Sequence, residues 1–130
     1  MSDRTLRDEA RLYFVPYILG NNSAAHRLAL RIFRRFGIVS LICDDHRSAL
    51  DLIDMSSRTV VLTSTDSPRL ISEQLLSLAT QSSYTLPLLI PIDDRYASVA
   101  ESERELLERT FIITDADSLF ESSPLTNILK

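Results

Sequence analysis

Five apolar runs of strand length, separated by amphipathic stretches, constrain this chain more than any other feature. They are Pro16-Tyr-Ile-Leu-Gly20, Ile38-Val-Ser-Leu-Ile-Cys43, Thr59-Val-Val-Leu-Thr63, Leu86-Pro-Leu-Leu-Ile-Pro-Ile92 and Thr110-Phe-Ile-Ile-Thr114. Runs that are apolar throughout, without polar alternation, are buried on both faces, as in parallel sheets covered by helices. Right-handed crossovers then give an open, doubly wound, three-layer α/β sheet of five strands, expected in the order 3-2-1-4-5.

The intervening segments carry helical signals. Between Ala24 and Phe36 the apolar residues Leu28, Ala29, Ile32, Phe33 and Phe36 share one helical face, and Arg27, Arg31, Arg34 and Arg35 occupy the other. Ser23 is placed to cap that helix, and Gly37 to end it in a left-handed conformation. Ser67-Pro68 opens a later helix with a cap followed by proline at the first helical position. A short helix is expected over His46 to Ile53, and another over Ala97 to Arg109. Pro87 and Pro91 lie near the ends of the fourth run, where a missing N–H is tolerated. Residues 1–12 mix acids and arginines and read as an N-terminal arm. The strand–helix rhythm ends at Thr114, so 1–114 is expected to form one domain and 115–130 a connector.

Composition narrows the function classes. With 45% apolar and 25% charged residues the chain is globular in character. A net charge of −4 supplies no basic footprint, so no nucleic acid is expected. No apolar run approaches the ~20 residues of a spanning helix, so no membrane partner is expected and the cytoplasm is the default location. Cys43 stands alone and inside an apolar run, which marks it as a small buried hydrophobe. Thirteen of the 14 basic residues are arginine; the only lysine is Lys130. A site that needs a lysine within the fold cannot be built here.

In a sheet of this order a ligand sits beyond the carboxyl ends of the strands, where the order reverses between the first and fourth. Gly20, Asn21, Asn22 and Ser23 arrive there after the first strand, and Asp93 and Asp94 after the fourth. Asp44 and Asp45 follow the second strand, Thr63 to Asp66 the third, and Asp115 and Asp117 the fifth. The Gly20 turn can either cradle an anion at a helix start or serve only as a tight turn with asparagine caps. Asp93 and Asp94 can act as a base, an amine contact or a metal ligand, or one can cap the following helix while the other is solvated. His26 and His46 lack metal-site spacing and read as surface helix residues. No catalytic or metal set is therefore assigned.

Several enzyme classes are excluded. The dinucleotide fingerprint is absent, since Asn22 and Ala25 stand where its later glycines belong. With only two glycines there is no P-loop, and no nucleophile elbow occurs. A phospho-acceptor receiver domain would carry acids after the first strand, an aspartate ending the third and a lysine ending the fifth. Gly20-Asn-Asn, Thr63-Ser-Thr65 and Thr114-Asp115 occupy those places.

Taken in order, Tyr17-Ile-Leu-Gly20, the helix beginning Ala24-Ala-His-Arg-Leu-Ala-Leu-Arg31, Leu88-Leu-Ile-Pro-Ile-Asp-Asp94, Ser102-Glu-Arg-Glu-Leu106 and Asn127-Ile-Leu-Lys130 resemble one family. It is the N-terminal, Rossmann-like preATP-grasp domain of ATP-grasp carboxylate–amine ligases, the branch that includes D-aspartate ligase-like and carbamoyl-phosphate-synthase-like proteins. The resemblance implies a ligase that forms an acyl-phosphate from a carboxylate and captures it with an amine. It implies ATP and magnesium held by ATP-grasp domains in cis, beyond these residues, so that this chain alone is inactive and needs no cofactor of its own. Gly20, Asn21, Asn22, Ser23, Asp93 and Asp94 would then wall a site for a small carboxylate or amine substrate, with a homodimer as a further possibility. The alternative is a stand-alone Rossmann-like module that binds a ligand or a protein without catalysis.

Overall fold

The computed structural model describes residues 14–80 and 86–121. The expected N-terminal arm, Ser82-Ser83 and the segment ending Asn127-Ile-Leu-Lys130 lie outside the described residues. The elements are β1 (Phe14–Leu19), α1 (Ser23–Phe36), β2 (Ser40–Asp44), a 3-10 turn (Ala49–Leu52), β3 (Ser57–Val61), α2 (Pro68–Thr80), β4 (Leu86–Pro91), α3 (Asp94–Ser102), α4 (Arg104–Leu107), β5 (Ile112–Ile113) and α5 (Ala116–Glu121). The strands form one all-parallel sheet in the order β3-β2-β1-β4-β5, a Rossmann-like arrangement and the order expected. Among the described residues no helix is long and apolar enough to cross a membrane.

The sheet separates two apolar layers. On one face Phe14, Ile18, Ile42, Leu88 and Ile90 pack under α1 through Ala25, Leu28, Ala29, Ile32 and Phe36. Leu119 of α5 is buried in the same layer, and the Phe36 ring stacks on Phe120 at 6.2 Å. Core packing thus continues past residue 114. On the other face Tyr17, Leu19, Cys43 and Leu89 meet α2 and α3 through Ile71, Leu75, Ala79, Tyr96 and Val99. Cys43 is a free, buried thiol, as its apolar run implied.

Helix α1 follows its sequence signal closely. Arg27, Arg31, Arg34 and Arg35 are all exposed, and Gly37 ends the helix at φ 71° with its N–H donating to the Phe33 carbonyl. Three local expectations are corrected. The cap is Asn22, not Ser23: Asn22 has extended backbone and its Oδ1 accepts from the Ala25 N–H at 2.9 Å. Phe33 is 40% exposed and lies off the buried face. The helix expected over 97–109 begins at Asp94 and breaks at Glu103, whose backbone (φ −111°, ψ 21°) separates α3 from α4.

The outer strands differ from their apolar runs for a reason of register. β3 starts at Ser57, two residues before the Thr59 run, because Ser40 to Asp44 of β2 pair with Ser57 to Val61. As an edge strand it tolerates the polar Ser57 and Arg58. In β4 the prolines explain the brevity of β5. Ile92 N–H donates to the Leu19 carbonyl of β1, so alternate residues turn the other way, and Pro87 and Pro91 present their missing donors to the β5 side. β5 accordingly pairs only with Leu88 and Leu89.

Candidate functional site

At the carboxyl end of β1 the chain turns sharply. Gly20 has φ +118°, a region that side chains rarely adopt, and its N–H donates to the Cys43 carbonyl at 3.0 Å. A Cβ at this position would lie 3.2 Å from Asp93 Oδ2 and 3.5 Å from the Ile92 Cβ. The glycine therefore lets β1 turn directly against the acidic end of β4.

Two of the N–H groups that such a turn offers to an anion, those of Asn21 and Ala25, are already engaged. Asp44, the last residue of β2 and 3% exposed, accepts from the Asn21 N–H at 2.7 Å through Oδ2. Its Oδ1 accepts from the Asp45 N–H at 2.7 Å and from the Tyr96 hydroxyl at 2.5 Å. Tyr96 is fully buried, and burial, then its bond to Asp44, pushes its phenol up. The Ala25 N–H is taken by Asn22. Asp93 caps α3, accepting from the Tyr96 N–H at 2.9 Å, while Asp94 is exposed in the first turn. Of the two readings for the Asp93-Asp94 pair, one residue does cap the helix.

Around this buried group lies a wetter ring. Asp45 meets the His46 Nδ1 at 2.8 Å, Arg95 at 3.0 Å and the Thr65 hydroxyl at 3.1 Å. His46, then Arg95, holds the Asp45 carboxyl well below the usual range, and Asp45 with Asp44 raises His46. Asp44, Asp45 and His46 offer oxygen and nitrogen atoms within 4.8 Å of one another. Their hydrogen-bond capacity is largely committed to Asn21, Tyr96, Arg95 and each other.

His26 corrects the reading of both histidines as surface helix residues. His46 is exposed but lies on a loop before the 3-10 turn. His26 is on α1 yet only 7% exposed, beside Asn21, Asp51 and Asp54. Asn21 joins this group to the Gly20 turn: its backbone meets Asp44, and its Nδ2 donates to the His46 carbonyl at 3.3 Å and to Asp51 at 3.1 Å. Sequence reasoning passed over Tyr96, Asp51 and Asp54. Tyr96 carried one signal, its place three residues after a capping aspartate.

A cleft of about 370 Å³ opens beside β4 and β5, with Pro91, Ala97 and Ala100 along one side and Thr114, Asp115 and Ser118 among its polar lining. Asp115 caps α5, accepting from the Ser118 N–H at 2.7 Å. The structure thus gathers Gly20, Asn21, Asp44 and Asp93 at the reversal of strand order, with the cleft along the β4–β5 side. Ser23 and Asp94 are exposed at the helix starts.

No protein-family model, no curated protein and no solved structure matches this chain.

Proposed function

We propose that this chain is the N-terminal, substrate-side domain of an ATP-dependent carboxylate–amine ligase of the ATP-grasp kind, acting with domains outside these residues. The observation that carries this reading is the meeting of the Gly20 turn with Asp93, at the point where ligands bind in sheets of this order. The order of motifs along the chain, a glycine turn after the first strand and an acid pair after the fourth, supports it.

The residues here do not fit the nucleotide. The Asn21 N–H at the turn is bonded to Asp44, Asp93 stands beside it, and the described residues contain no lysine. A phosphate would meet two carboxylates. No chemical step through ATP or magnesium is therefore assigned to this domain. The same carboxylates favour the amine partner of the reaction, whose ammonium form they attract.

The test is a thermal-shift titration of the chain against amines and amino acids, simple carboxylates, and ATP with magnesium. A ligand present at about 100 times its dissociation constant adds about 2.7 kcal/mol of stability. A shift with amines that disappears in Asp93→Asn is the expected result. A shift with ATP and magnesium alone overturns the assignment.

A second reading, a protein-interaction module, is favoured by one observation: Leu52, Ile53 and Met55 are 89%, 74% and 88% exposed on the segment before β3. Sedimentation of the wild-type chain and of Leu52→Gln/Ile53→Gln distinguishes it, because only an interaction through this tip loses association in the variant.

A further inference from the structure

His26 is enclosed in a way that fixes what its ring must do. Nδ1 lies 2.5 Å from Asp54 Oδ2. Nε2 lies 2.9 Å from Asn21 Oδ1 and 3.2 Å from Asp51 Oδ1. The Asp54 carboxylate is an acceptor in its other contacts: it also receives the Ser56 N–H, the Ser56 hydroxyl and the Ser57 hydroxyl. The Asn21 amide is oriented by its other partners. Its Nδ2 faces the His46 carbonyl and the Asp51 carboxylate, both acceptors, so Oδ1 is the atom turned to His26 and to the Ser48 hydroxyl. Each ring nitrogen therefore faces acceptors only. A neutral imidazole has one donor and one acceptor nitrogen, and would set a lone pair against an oxygen at one end.

We propose that His26 is held as an imidazolium and that its ring proton latches residues 48–56 onto the Gly20 turn, so that this segment opens as pH rises. The inference is independent of the ligase reading. The charged groups that meet the ring are Asp51 and Asp54, from the 3-10 turn and the residue pair after it. Asp44 and His46, at the end of β2, reach it only through Asn21. Two carboxylates and an amide oxygen thus converge on one cation. Above about pH 6.5, where a histidine released to solvent loses its proton, the closed form holds up to one proton more than the opened form, so closure weakens as pH rises through that range. Because Asn21 is shared, opening also loosens the turn at the candidate site.

The experiment uses the full chain with ¹⁵N-labelled histidine, from about pH 5.5 to 8.5, the range in which histidine ordinarily titrates. Long-range proton–nitrogen spectra report both ring nitrogens, with exposed His46 as the internal comparison. At the low end both His26 nitrogens are expected to carry protons. Amide exchange of Ile53 and Asp54, whose N–H groups donate to the Leu50 carbonyl, is expected to rise beyond the intrinsic rate from about pH 6.5, where a histidine released to solvent loses its proton, by up to about tenfold per pH unit, and to level off once the closed form has lost the proton as well. Amides of β1 serve as the reference and show no such excess.

The excess persists in His46→Gln and is lost in His26→Gln. Should His26→Gln fail to fold, Asp54→Asn, which keeps an acceptor and removes the charge, is expected to reduce it. An unprotonated His26 nitrogen at pH 5.5, an excess that survives both variants, or one that vanishes in His46→Gln overturns the proposal.

Discussion

The Asp93 carboxylate stands 3.2 Å from the point where a side chain on Gly20 would begin, with Gly20 itself at φ +118°. Gly20→Ala therefore meets a strained backbone and a contact that must give. The expected loss is roughly 1–3 kcal/mol, read as a lower urea midpoint with an unchanged slope. Asp93→Ala in the same background recovers the steric part and loses the α3 cap, so the double variant is expected to be non-additive.

Asp44 and Tyr96 form a buried bond between the end of β2 and the first turn of α3. Tyr96→Phe removes one hydrogen bond to a charged acceptor and is expected to cost roughly 1.5–3 kcal/mol. Asp44→Ala also leaves the Asn21 N–H and the Tyr96 hydroxyl without an acceptor, and is expected to cost roughly 3–5 kcal/mol. A double-mutant cycle by urea denaturation is expected to give coupling on the order of 1 kcal/mol or more.

Acid weakens the segment before β3. Burial raises the Asp54 carboxyl, but hydrogen bonds from Ser56 and Ser57, then His26, outweigh it and lower the group to about 2. Since the folded value lies below the unfolded one of ~3.9, this contribution is complete above about pH 4 and is lost as pH falls toward 2. Its size is on the order of 2 kcal/mol. The acid limb of a stability–pH curve is expected to flatten by about that amount in Asp54→Asn, after correction for the variant's own baseline.

Burial, with a smaller push from Asp44, raises the Cys43 thiol to about 12. At pH 8 only about one thiol in 10⁴ is then ionised in the folded chain, and thiolate is the reactive form. Reaction with an aromatic disulfide reagent is expected to follow the opening of the core rather than reagent concentration. Rapid labelling under native conditions contradicts the burial described here.

What the sequence disclosed divides along physical lines. The span of α1 was legible because it rests on a long periodic pattern and on one glycine with a required conformation, and the strand order because right-handed crossovers between fully apolar runs leave few arrangements. The cap of α1 was not, because Asn22 and Ser23 are both good capping residues and only the path of the turn chooses between them. The early start of β3 was hidden because Ser57 and Arg58 join the sheet through pairing with β2, not through their own apolarity. Gly20 and Asp93 were legible as neighbours from the rule about strand ends. His26 was not: its burial is created by Asp51 and Asp54, residues from a segment whose return onto α1 leaves no periodic trace.

Because β1 lies at the middle of the sheet, its two sides are completed at different times. Its β2 side can form as soon as Ser40 to Asp44 have been made, whereas Phe14 finds Leu86 and Leu19 finds Pro91 only after most of the chain exists. During synthesis on the ribosome, a half-sheet of β3, β2 and β1 would carry an apolar central strand as a bare edge until β4 emerges. Such an edge pairs readily with other chains. A truncation before Leu86 leaves that edge permanently open, so the vulnerable stage of this protein's life is its own translation, and its solubility depends on how soon β4 follows.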